Sequence, residues 1–122
     1  MDMGKSIVKD KSFDFAVRIV KLCRYLREEK KEFILSKQLV RSGTSIGANI
    51  SETQRGQTKP DFYAKIAIAL KEASETEYWI RLLYATDYIN NKEFSSLHSD
   101  INEIISLLVA ICNSKDKNQN EL

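Results

Sequence analysis

The sequence predicts an all-α fold, an up-and-down antiparallel four-helix bundle. Three observations predict it. Proline occurs once and glycine four times in 122 residues, too few turn formers for a chain of many short strands. Apolar residues recur at alternating steps of three and four along four stretches, the spacing of a helix with one buried stripe. Short polar connectors carrying capping residues separate those stretches. A chain of this length suits one domain and can bury a core without metals or disulfides.

Residues 1–11 are polar and lack periodicity, which predicts a flexible N-terminal arm. The first helix is expected at 12–28, capped by Ser12, with Phe15, Ile19, Leu22 and Leu26 stepping by 4, 3, 4. The second is expected at 33–55, with Leu35, Leu39, Gly43, Ile46, Ile50 and Thr53 on its seam and Gly56 as its C-cap. Thr58 and Pro60 restart the chain, and Asp61 suits the positive end of a third helix at 59–87. Its seam of Phe62, Ile66, Ala69, Ala73, Thr76, Ile80 and Leu83 is a heptad pattern that packs helices at small crossing angles. Asn90 and Glu93 form the pair of a capping box for a fourth helix at 91–113, whose stripe is Phe94, Leu97, Ile101, Ile104, Leu108 and Ile111. The bundle thus spans 12–114, and 115–122 read as a flexible tail.

The net charge of +2 hides an asymmetry. Residues 1–55 carry 12 Lys+Arg against 7 Asp+Glu, a net +5, and the remainder is acidic. Such a basic half suits either an anionic partner or a complementary patch on a second copy. The two cysteines, Cys23 and Cys112, sit apart among aliphatic residues and belong to no CxxC pair. Buried reduced thiols of a cytoplasmic protein are the expectation. The start of the chain has no signal-peptide pattern.

Catalytic chemistry finds little support. The single histidine, His98, reads as a plain surface residue on a polar face, and no Glu-x-x-His pair points at a bundle core. No phosphate-binding glycine loop is present, because Gly43-x-x-x-Gly47 lacks the following lysine and the preceding strand. No catalytic residue, metal site or cofactor is expected, and the protein is expected not to be an enzyme.

Four features stand out instead. Gly43 and Gly47 lie in a helix interior, where each costs roughly 1 kcal/mol against alanine; close approach of another backbone would offset that. Beside them run Gln38, Ser42, Ser45, Asn49 and Glu52, which form either a solvated face or a buried hydrogen-bond network with Ser74 and Glu77 as partners. In the network reading Asn49 fixes register. Tyr78, Trp79, Tyr84 and Tyr88 fall outside the third helix's seam and point to self-association. Arg18, Lys21, Arg24 and Arg27, joined by Lys37 and Arg41, form a basic run that suits phosphate contact, with no aromatic platform interleaved to read bases.

The run Gln38-Leu39-x-Arg41-Ser42-x-x-Ser45-Ile46-x-x-Asn49-Ile50-x-Glu52 resembles the signature of the bacterial 23S ribosomal RNA intervening-sequence proteins. Ala69-Leu70-Lys71-Glu72-Ala73-Ser74-Glu75-Thr76-Glu77-Tyr78-Trp79 is similar to that family's second signature stretch. The resemblance covers about residues 10–114; where the family commonly has Ala-Glu-Gly, this chain has Ser51-Glu52-Thr53. It implies a small bundle assembled into a homopentameric ring. It also implies kinship with the accessory protein of diversity-generating retroelements, whose basic surface engages nucleic acid and a reverse transcriptase.

The expectation is therefore a self-assembling scaffold or adaptor contacting RNA or DNA through its basic surface. The alternative is a protein-interaction module for a neighbouring gene product, indifferent to nucleic acid.

Overall fold

The computed structural model describes the backbone of residues 2–55 and 58–120 and the side chains of residues 7–55 and 58–115. Four helices account for nearly all of them: α1 Asp2–Glu28, α2 Leu35–Glu52, α3 Lys59–Ala85 and α4 Asn91–Asn120. Each packs on its neighbours in the chain, and α4 closes on α1. This is the antiparallel bundle that the 3–4 spacing predicts.

The core is built mostly from the predicted seams, although Leu22, Leu35, Phe62, Phe94 and Ile111 are only partly buried and Val8 and Ile89 join it. Leu39, Ile46 and Ile50 of α2, Ile66, Ile80 and Leu83 of α3, and Ile101, Ile104 and Leu108 of α4 are almost fully removed from water. Leu and Ile dominate, with Ala69 and Ala73 at the middle of α3. Two small residues there let the neighbouring helices approach without voids.

Helix ends depart from expectation in five places, the ends of α2 and α3 falling three and two residues early. α1 starts at Asp2, so residues 2–11 belong to the helix and not to a separate arm. Among the described side chains its seam runs from Val8 through Ser12, Phe15 and Ile19, all buried. Ser12 is therefore a helix-interior residue, and its hydroxyl donates to the Lys9 carbonyl at 3.0 Å. A serine in the seam looked like a cap because its side chain suits both places. α2 starts at Leu35, two residues later than expected, because Phe33 and Ile34 belong to the connector. α4 continues to Asn120; no glycine or proline lies between 113 and 120 to stop it, and extending a formed helix costs little.

Two of the expected caps are found. Thr58 accepts from the Asp61 amide at 3.3 Å. Asn90 and Glu93 exchange backbone-to-side-chain bonds at 2.9 and 2.8 Å, a complete capping box. α2 ends at Glu52, three residues short of the expected end, because Thr53 and not Gly56 closes it: the Thr53 hydroxyl donates to the Ile50 carbonyl at 2.6 Å; Gly56 lies outside the described residues. α3 closes with Asp87 at φ 68°, the Tyr88 amide donating to Leu83 and the Asp87 amide to Tyr84. That pair of bonds is a Schellman closure with aspartate in the left-handed position where glycine is usual.

Candidate functional site

The glycines of α2 mark its crossing with α1. A Cβ on Gly43 would lie 2.9 Å from Cγ2 of Ile19, and one on Gly47 would lie 3.3 Å from the Ser12 hydroxyl and 3.4 Å from its carbonyl oxygen. Close approach of α1 is thus what the two glycines permit. Toward solvent, the same crossing opens into a groove of about 630 Å³ lined by Phe13, Ala16, Thr44, Gly47, Ala48 and Ser51, with Lys9, Asp10 and Asp14 on its edge. Phe13 is 67% exposed, and Val17 and Val20 continue from it along α1 at steps of four and three. Helix faces of this kind normally bury such a strip.

The polar stripe of α2 divides into three fates. Ser42 is fully buried and accepts a bond from the Thr76 hydroxyl of α3 at 2.9 Å, while Thr76 also reaches the Glu72 carbonyl at 2.8 Å. Ser45 and Asn49 turn back on their own helix, to the carbonyls of Arg41 and Ser45 at 2.7 and 2.8 Å. Glu52 pairs with Lys65 of α3. The expected partners Ser74 and Glu77 are not used: Ser74 is exposed, and Glu77 faces α4. Asn49 accordingly does not fix register; the Ser42–Thr76 bond, buried where an unpaired hydroxyl is costly, does. Thr76→Val keeps the shape and removes the donor, so it is expected to cost about 1 kcal/mol in urea unfolding.

The basic run is partly committed to the bundle. Arg18 reaches Asp100 and Ser96 of α4. Arg41 reaches Glu72 and Glu75 of α3, and Glu75 also accepts from the Trp79 indole at 3.0 Å. Lys21, Arg24 and Lys37 are exposed and make no ion pair among the described residues. The Arg27 guanidinium lies 5.3 Å from the centre of the Phe33 ring, and Lys30 lies 6.0 Å from that of Tyr25. The free part of the basic surface therefore gathers at the α1–α2 end, and aromatic rings do stand among its charges. Sequence reasoning missed this because Phe33 was placed inside a helix, where its neighbours differ.

The aromatics of α3 also divide. Trp79 and Tyr88 pack against the core, so they are not free interface residues. Tyr84 stacks on Phe94 with centroids 4.3 Å apart and donates to Asn91. Tyr78 stays half exposed. Phe94 stacks in turn on His98 at 4.8 Å. His98 is not a plain surface residue: Nε2 donates to Glu77 of α3 at 2.8 Å, while Nδ1 accepts from the Asn102 amide at 3.2 Å. The imidazole ties α4 to α3.

One residue that pattern reading passed over organises the α1–α2 connector. Glu32 is buried, and its carboxylate accepts the amides of Ile34, Leu35 and Ser36 at 3.2, 2.9 and 2.7 Å, covering the open N-terminus of α2. Burial by itself would raise its pKa, but the amide bonds from Leu35, Ser36 and Ile34 outweigh that and hold the carboxyl below its ordinary value. The available signal was a glutamate three residues ahead of an apolar helix start. It was hidden by the charge cluster around it.

Burial pushes the Cys23 thiol up to about 12 and raises Cys112 as well, so neither is a thiolate near neutral pH. Among the described residues no three His, Cys, Asp or Glu side chains converge as a metal would need. No described helix is long and apolar enough to cross a membrane.

Comparison with known proteins gives a consistent result. Residues 4–110 match the family model described as 23S rRNA-intervening sequence protein. Among solved structures, the chain is similar to a protein of unknown function from the S23 ribosomal protein family of Bacteroides thetaiotaomicron. The two are 53% identical and superpose with a TM-score of 0.88 over 91% of this chain and 99% of that one. No curated protein matches.

Proposed function

This chain belongs to the 23S rRNA-intervening sequence protein family, and from that premise we propose that it is a non-enzymatic, self-assembling bundle, a cytoplasmic homopentameric scaffold or adaptor that holds RNA or DNA without sequence preference. The observation that carries the reading is the α1–α2 face. Phe13, Val17 and Val20 present a continuous apolar strip beside a groove floored by Gly47 and Ala48. A lone bundle leaves that strip in water, whereas a second copy covers it. An odd-numbered ring requires two different patches to meet at each contact; the strip supplies one of them. Lys21, Arg24 and Lys37 lie outside the ion pairs of the described residues and supply the phosphate contacts.

Sedimentation velocity at micromolar concentration tests the assembly. The expected result is a single oligomer that dissociates in Phe13→Ser with helicity retained; a monomeric wild type overturns the reading. The second reading, a module for a neighbouring gene product such as a reverse transcriptase, draws support from Arg18 and Arg41. Their engagement with Asp100, Glu72 and Glu75 reduces the free basic surface. Capture of that product that persists after nuclease treatment, with no RNA binding by the isolated protein, would favour it.

A further inference from the structure

The connector between α1 and α2 combines three properties seldom found together on a solvent-facing loop. With the last turn of α1 it exposes large apolar side chains: Tyr25 of α1 is 43%, Phe33 51% and Ile34 76% accessible. It is held rigidly, because the Glu32 carboxylate grips three successive amides and the Glu32 amide donates to the Leu26 carbonyl at 2.9 Å. It is also basic at its surface. Of the acidic residues here, Glu32 is turned inward, which leaves Glu28 and Glu29 against Arg24, Arg27, Lys30, Lys31 and Lys37.

We infer that this tip, where Tyr25 and Phe33 stand among those cations, is a seat for unpaired nucleic acid. The inference rests on the nucleic-acid part of the function proposed above and names the ligand class and the place. Charge complementarity gives the phosphate contacts. Each ring carries a cation on one side, and the exposed remainder of its surface offers stacking that every base can use whatever its identity. Because Glu32 fixes the loop beforehand, little ordering entropy opposes binding. A duplex buries its base faces within its own stack, so the rings select unpaired strands. An acidic lipid surface fits the charges but not the rings: Arg27 lies over Phe33 and Lys30 over Tyr25, so driving the rings into hydrocarbon would carry the cations with them.

The test is fluorescence anisotropy of the full chain with a labelled oligouridylate and with a duplex RNA of equal length, across a salt series. The wild type is expected to bind the single strand more tightly. Phe33→Ala and Tyr25→Ala are each expected to weaken that binding about fivefold or more, leaving duplex binding and circular dichroism unchanged, while Phe33→Tyr retains affinity. Binding that survives both alanine variants but falls in the combined Lys21→Ala, Arg24→Ala, Lys37→Ala variant overturns the tip and leaves the basic-surface reading standing. Absence of RNA binding in the wild type overturns both. Absence of RNA binding together with sedimentation on phosphatidylserine-containing vesicles, lost in Ile34→Ser, overturns the inference in favour of a lipid contact.

Discussion

Gly43→Val is expected to lower the unfolding free energy by roughly 2–3 kcal/mol, through overpacking at the α1–α2 crossing. The first added carbon already lies 2.9 Å from Cγ2 of Ile19 and 3.1 Å from its Cγ1. Ile19 is fully buried and β-branched, so its side chain has few rotamers into which to retreat. Replacing glycine in a helix stabilises by up to about 1 kcal/mol, which offsets only part of the clash. Gly47 provides the contrast. Its added Cβ would meet Ser12 atoms no nearer than 3.3 Å, so Gly47→Ala is expected to fall within about 1 kcal/mol of wild type, the helix gain balancing a small shift. Urea denaturation of the two variants side by side checks the ranking. Equal stability of Gly43→Val and wild type would mean that the helices separate at no cost.

Glu32→Ala is expected to cost about 2–3 kcal/mol near neutral pH, since it leaves the amide of Ile34 and the first two α2 amides without their acceptor and removes a charge from the positive helix end. The effect is pH-dependent with a definite sign. Native bonding holds the Glu32 carboxyl below 4.5, its ordinary value. Its contribution is therefore fully present above that value and is lost as pH falls through the lower native one. Glu32→Gln keeps one acceptor oxygen and no charge, so its stability should change less than that of wild type across this acid range. Unfolding curves at pH 7 and at steps between 5 and 3 separate the three proteins. Parallel pH profiles for wild type and Glu32→Gln would remove the carboxylate from this role. Because the same residue holds Phe33 and Ile34 outward, Glu32→Ala should also weaken any binding at the tip.

The sequence itself established the helices, most of their seams and the caps of α3 and α4. Those features are local: a repeat of three and four, a threonine before Lys59-Pro60, an asparagine three residues before a glutamate. Each depends on atoms within one or two turns of the same chain, so spacing alone reports them. The two α2 glycines also announced a close helix crossing, since their cost needed an offset.

Partner choice was beyond such reasoning. Ser42 and Ser45 look alike in the stripe, yet only Ser42 faces Thr76, and Ser45 bonds its own helix. Arg18 and Arg24 look alike in the basic run, yet Asp100 of α4 takes only the first. A residue's face follows from its number, but the group opposite that face depends on the rotation and stagger of another helix. Packing of the whole core sets both. For the same reason the ends of α1 and α2 moved. Val8 extends one helix because α1 finds a core there to bury it, and Glu32 delays the other because its carboxylate is a better cap than any residue nearer the seam. The chain by itself determined which helices form and which faces are apolar; only their three-dimensional packing decided which charges are spent inside the bundle and which are left at its α1–α2 end.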